Sequence, residues 1–237
     1  MTDAPSAFQK ATRQGRKARI ALSGPSGSGK TYTALGVASA FGKVAVIDTE
    51  NGSASLYSDI FDFDVMTMTP PFDPRRVPKG IEAAAEAGYD VLVIDSLSPF
   101  WAGTGGTLDL VDQTKARSRS NDGFGAWREV TPIQQGMVDS IIQSPIHILV
   151  TLRVKQAYEI QRDDKGKSKV VKLGLEPVQR DMLEYEFDVV GEIDMQHRLV
   201  VSKSRMSGLA DTLIAEAGVE LGERIRDWLN PEPEVEE

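Results

Sequence analysis

The chain has 237 residues, 41% hydrophobic and 26% charged, which is ordinary for a soluble protein and enough for one generous α/β domain. It has no cysteine, which excludes disulfides and thiolate metal sites, and its net charge of −8 argues against a wholesale basic nucleic-acid binder. No apolar run approaches bilayer length and the first residues carry no signal-peptide core, so the expectation is a cytoplasmic protein with no membrane partner.

The charge is unevenly placed. Residues 1–20 hold five Lys/Arg against one Asp, and residues 153–173 hold seven against three acids. Residues 230–237 form an acidic, proline-broken tail that cannot pack a core. Residues 1–17 read as a flexible basic arm in which Lys10, Arg13, Arg16 and Lys17 have near-helical spacing, which fits either one basic face or a solvated lead-in. One domain is expected over residues 18–229, with no repeat and no separable second unit.

The first element in that domain is an apolar run, Ala18 to Leu22, followed by Gly24-Pro25-Ser26-Gly27-Ser28-Gly29-Lys30-Thr31-Tyr32 and a helical stretch to about residue 41. This is G-x-x-x-x-G-K-[ST] in its strand–loop–helix context, the P-loop pattern. Gly24, Gly27 and Gly29 let successive N–H groups curl inward around phosphate oxygens at a helix N-terminus. Lys30 reaches the β- and γ-phosphates and the Thr31 hydroxyl holds Mg²⁺. Nucleoside triphosphate binding follows.

Val44 to Ile47 reads as a buried parallel strand delivering Asp48, Thr49 and Glu50 to its C-terminal end, where α/β sheets bind ligands. For Asp48, N-capping of the next segment is the alternative reading, which fits the two acids together less well. A short strand is expected at 65–68 and a helix over 75–87, with Ile81, Ala84 and Ala85 inward. Val91 to Ile94 then delivers Asp95, a Walker B pattern that places a Mg²⁺ ligand opposite Thr31.

Residues 97–124 are rich in Gly, Ser and Thr and read as a long loop carrying Lys115, Arg117 and Arg119, flanked by Trp101 and Trp127. A helix is expected over 125–143. His147 to Arg153 is another core strand, whose exit residues Thr151 and Arg153 suit a γ-phosphate sensor; for Arg153 an ordinary strand end is as good a reading. His147 and His197 receive no role. Residues 154–162 and 167–173 flank a turn at 163–166, giving a basic hairpin with Lys155, Arg162, Lys165, Lys167 and Lys169. Such a ribbon suits DNA phosphates; the alternative reading is a solvated hairpin. Two strands over 186–194 and 198–202 lead to Lys203 and Arg205, and a terminal helix is expected over 219–229.

The stretches Val46–Glu50, Val91–Ser96 and Val200–Arg205 together resemble the RecA-type ATPases. The segment GPSGSGKTYTAL, Leu173–Arg180 and Glu184–Asp188 resemble compact RecA-like ATPases encoded by bacteriophages, some of which serve as single-strand-annealing recombination proteins. The resemblance covers roughly residues 18–210. It implies an α/β RecA-like P-loop NTPase: a mostly parallel central sheet flanked by helices, a C-terminal antiparallel extension and a basic hairpin. It implies ATP and Mg²⁺ as cofactors, Glu50 as the base that polarises water, and Lys203 and Arg205 as fingers reaching a neighbouring subunit's nucleotide. Thr151 and Arg153 stand where the usual glutamine-type sensor would be. Oligomerisation with nucleotide at the subunit interface, single-stranded DNA bound through residues 103–124 and 153–173 (including Arg153), and a single-strand-binding protein as further partner are the expected associations, in a bacterial host cell. The RecA C-terminal domain and an evident polymerisation helix are absent, which leaves ring, short oligomer and filament open. Rival readings are a helicase-like motor or loader, a small-molecule kinase, and a nucleotide-gated binding protein with negligible turnover.

Overall fold

Three apolar runs, β1 (Arg19–Gly24), β2 (Val44–Asp48) and β4 (Val91–Asp95), are buried along their whole length, as strands covered on both faces must be. The computed structural model describes residues 8, 10–118, 122–162 and 168–231, and between 157 and 173 only the backbone of these. The other strands are β3 (Asp64–Thr67), β5 (His147–Arg162), β6 (Ser168–Pro177), β7 (Val189–Ile193), β8 (Leu199–Ser204) and β9 (Leu213–Ile214). The sheet order is β3-β2-β4-β5-β1-β7-β8-β9, with β6 paired to β5 off this path. From β3 to β7 all neighbours are parallel; β7–β8, β8–β9 and β5–β6 are antiparallel. The mostly parallel sheet with an antiparallel C-terminal extension therefore stands as expected.

Alternation along each strand sends side chains to two cores. On one face Ile20, Leu22, Val46, Val93 and Leu149 meet α1 (Lys30–Ser39) and the terminal helix. On the other, Ala21, Ile47, Leu92, Ile94 and Val150 meet α2 (Arg76–Glu86) and the long helix after residue 122. In α2 the inward residues are Val77, Gly80, Ile81 and Ala84.

The stretch 97–124 is not one loop. It contains α3 (Ser98–Ala102) and α4 (Thr107–Arg117), and α5 (Gly123–Ile142) starts at its end. Its glycines mark tight turns between helices: a Cβ on Gly103 or Gly106 would lie 2.7 or 2.6 Å from the Pro99 carbonyl oxygen. The Thr107 hydroxyl lies 3.1 Å from Phe100 O and 2.5 Å from Gln134 Oε1, with its one hydrogen shared between them, so the polar residues of this stretch tie the helices together. Asp122 N-caps α5, accepting from the N–H groups of Phe124 and Gly125. Trp101 and Trp127 stack on each other, ring centroids 6.1 Å apart.

The terminal helix α6 (Val219–Leu229) buries Leu221, Ile225 and Leu229. It lies so close to α1 that a Cβ on Gly222 would be 2.3 Å from Val37 O, and Arg226 donates to Ala40 O at 3.0 Å, capping the last turn of α1. In the arm, Arg13 sits over the Trp228 ring at 5.4 Å. Residues 1–7 and 232–237 lie outside the described residues.

Candidate functional site

Because β1, β2, β4, β5 and β7 run in the same direction, the residues that leave their C-terminal ends meet at one edge of the sheet. The P-loop leaves β1 there. Gly27 and Gly29 take φ of 81° and 90°, left-handed values that suit glycine, and α1 begins at Lys30. Gly24 is required for another reason: a Cβ there would meet Ser28 Oγ at 2.5 Å and Ile193 O at 2.6 Å. Lys30 Nζ donates to Pro25 O at 2.9 Å across the loop. Burial lowers the Lys30 pKa, and Glu50 and Asp95 oppose that shift.

Asp95 is buried at the end of β4, and both carboxylate oxygens are engaged. Thr31 Oγ1 donates to Oδ2 at 2.6 Å, and Thr151 Oγ1 donates to Oδ1. Burial raises the Asp95 pKa, and the two hydroxyl bonds pull it back. The following peptide bond, Asp95–Ser96, is cis. Thr49 locks this segment to β2, donating to Ser96 O at 3.0 Å and accepting from Ser96 N at 2.9 Å. The convergence of a hydroxyl and a carboxylate beside the P-loop lysine is an all-oxygen donor set that fits Mg²⁺. Among the described residues no cluster of three or more His, Cys, Asp or Glu could hold a metal alone.

Of the two acids after β2, Asp48 is structural: fully buried, it accepts from Glu50 N at 2.6 Å and Ala54 N at 2.8 Å and shapes the turn into a 3-10 segment. Glu50 faces the site. Its Oε1 accepts from Arg153 Nε at 2.9 Å and from Ser96 Oγ at 3.3 Å. Arg153 thus belongs to the phosphate edge, where its pairing with Glu50 replaces a free cationic surface.

A cleft of about 890 Å³ runs from Lys30, Thr31 and Glu50 past Tyr57 and His197 to residues 215–220. The rings of Tyr32, Tyr57 and Phe61 pack edge to face beside it. Tyr57, His197 and the 215–220 segment escaped the sequence reading. For His197 the signal is strand order: β7 lies beside β1, which puts the β7–β8 turn against the P-loop, and that neighbourhood has no local spelling.

A family model described as an AAA domain matches residues 16–212, most of the chain. The chain belongs to this AAA domain family. No curated protein matches it. The AAA domain is a P-loop ATPase family, so nucleotide binding, typically with Mg²⁺, and ATP hydrolysis in general go with it. The α/β order, parallel sheet and P-loop position are those of a P-loop NTPase fold. Among the described residues of this AAA domain protein, no helix is long and apolar enough to cross a membrane.

Several expected site residues lie elsewhere. Lys203 and Arg205 end β8, which runs antiparallel to β7, so they sit at the opposite edge of the sheet from their own P-loop. Asp188, beside Arg19 at the start of β1, pairs with Arg205 at 2.8 Å. Lys203 Nζ donates to the carbonyls of Glu184, Tyr185 and Phe187 at 2.8–2.9 Å. Of the DNA-contact candidates, Lys115 and Arg117 lie in the last turn of helix α4 rather than in a loop. Lys155 pairs with Glu176 at 3.0 Å, and Arg162 and Lys169 lie on the paired β5–β6 ribbon. Arg119, Lys165 and Lys167 lie outside the described residues.

Proposed function

We propose that this AAA domain protein is a Mg²⁺-dependent ATPase of RecA type that assembles with nucleotide between subunits and acts on single-stranded DNA in phage recombination or annealing. One observation carries the reading: Arg153 holds Glu50, and Arg153 is also the residue at which β5 leaves the sheet to become the β5–β6 ribbon. The water-activating carboxylate is therefore joined to the root of the basic ribbon. Any load on the ribbon that shifts Arg153 changes what Glu50 can do.

In this reading Glu50 takes the proton of the attacking water, and Lys30 and the P-loop N–H groups hold the transferring phosphoryl group. Thr31 and Asp95 would hold Mg²⁺, which would supply charge neutralisation at the phosphates, and Thr151 fixes the Asp95 carboxylate. The α4 end with Lys115 and Arg117 adds cations on the same side, since α5 returns from that edge to the start of β5.

The test is ATP hydrolysis by the full chain with and without a single-stranded oligonucleotide. Stimulation of tenfold or more, lost in Arg153→Ala, supports the reading. A rate indifferent to DNA but dependent on a small phosphate acceptor would replace it with a kinase. Strand separation of a forked duplex would replace it with a motor.

A further inference from the structure

We infer that His197 is a positioning residue of the phosphate loop, aiming the Gly29 N–H at bound phosphate by holding the Ser28 carbonyl; this rests on nucleotide binding at the P-loop. The β7–β8 turn that carries His197 is strongly shaped. Asp194 Oδ1 accepts from the N–H groups of Gln196 and Arg198 at 2.8 and 3.0 Å, and Oδ2 accepts from Arg198 Nε at 2.8 Å. His197 N donates to Asp194 O at 3.0 Å, and His197 itself takes φ of 63°, in the left-handed region. The turn thereby delivers the imidazole onto the P-loop, with Nδ1 3.0 Å from Ser28 O.

A carbonyl oxygen offers only lone pairs, so Nδ1 must carry the hydrogen. The Ser28–Gly29 peptide is planar and trans, so its C=O and N–H point in opposite directions. Holding the oxygen toward His197 therefore turns the Gly29 N–H away from His197, into the loop. The peptide needs such a restraint because Gly29 is free to swing: it has no side chain and sits at φ 90°. The same glycine lets the ring approach, since a Cβ on Gly29 would lie 3.3 Å from Nδ1. His197 also lines the cleft itself, beside Lys30 and Thr31.

The experiment measures equilibrium binding of a non-hydrolysable ATP analogue with Mg²⁺ to the full chain and to three variants. His197→Ala frees the peptide, and affinity should fall about tenfold, the worth of one oriented N–H to a charged oxygen. In His197→Asn the side-chain amide nitrogen occupies the Nδ1 position and should restore most of that loss. His197→Gln puts its amide at the Nε2 position and should not. Thermal unfolding without nucleotide checks that all three fold alike, and in steady-state hydrolysis the loss should appear in KM rather than kcat. Wild-type affinity in the alanine variant, or an asparagine variant as weak as alanine, overturns the inference while leaving the nucleotide site standing. A wild-type chain that binds no triphosphate overturns both.

Discussion

Lys203 and Arg205 stand two residues apart at the end of β8, yet their charges are used differently. The Lys203 ammonium satisfies three carbonyls of its own chain, while Arg205, its side chain 57% accessible, pairs with the largely buried Asp188 and reaches Tyr185 O only at 3.4 Å. Partial burial and the neighbouring Arg205 lower the Lys203 pKa. Lys203→Ala leaves the 183–186 turn without its donor and should cost about 1–2 kcal/mol in denaturant unfolding. Arg205→Ala should cost about 1 kcal/mol, because the guanidinium end of the pair is solvated and Asp188 keeps the Arg19 N–H as a donor. If subunits assemble with nucleotide between them as proposed, its effect is on hydrolysis: a finger acting between subunits is worth about 10³–10⁵ in rate. Mixing Lys30→Ala with Arg205→Ala subunits should then recover activity at mixed interfaces, and no recovery would end the finger assignment for Arg205.

Glu50 and Arg153 give a second pair of expectations. Glu50→Gln keeps the shape of the site and removes the base, so kcat should fall about 10²–10⁴-fold with nucleotide binding retained. Full turnover in that variant would remove Glu50 from the mechanism. Arg153→Ala leaves the carboxylate present and removes its tether to the ribbon; rates with and without DNA should then become equal. The comparison separates a base from its restraint.

The buried Thr151–Asp95 contact is the third. Thr151→Val keeps the volume and removes the hydroxyl, leaving Asp95 Oδ1 buried without that donor. The expected cost is about 1–3 kcal/mol by unfolding. The Mg²⁺ concentration for half-maximal hydrolysis should also rise, because the carboxylate is free to rotate away from Thr31. A variant with unchanged stability and unchanged Mg²⁺ dependence would mean that Thr151 only fills space.

Much of this site was readable in the chain because its chemistry is spelled contiguously. The P-loop, Asp95 at the end of a buried run and Glu50 after another each pair a strand signal with a functional residue, and parallel pairing then brings the three together. What could not be read is whatever depends on contacts between distant segments. His197 sits on a turn with no motif of its own. The spacing leaves Arg153 open as a γ-phosphate sensor, a DNA contact or a plain strand end; its position 2.9 Å from Glu50 depends on how β2 and β5 are placed in the sheet. Helices α3 and α4 were hidden by a loop-like composition, whose glycines answer close packing against Pro99 rather than flexibility. Lys203 and Arg205 were paired by spacing, which cannot say that one of them is consumed by a turn.

His147 gives an expectation about pH that is independent of catalysis. It opens β5, is buried against Phe41 with ring centroids 4.5 Å apart, and its Nδ1 accepts from Ala18 N at 2.9 Å. Nδ1 is an acceptor only while the ring is neutral at that atom, and burial, with Lys17 and Arg19 adding repulsion, lowers the pKa to about 4 from 6.5. The unfolded chain therefore binds a proton that the folded chain refuses between these two values. Stability rises with pH wherever the unfolded state binds more protons, so the His147 contribution is complete above about pH 6.5 and is lost as pH falls toward 4. His147→Asn keeps an acceptor near Ala18 N and does not titrate. Its unfolding free energy should be lower than wild type at pH 7, because a smaller side chain meets Phe41, and flatter between pH 6.5 and 4. Parallel pH profiles for the two proteins in denaturant titrations would show that His147 is protonated in the folded state after all.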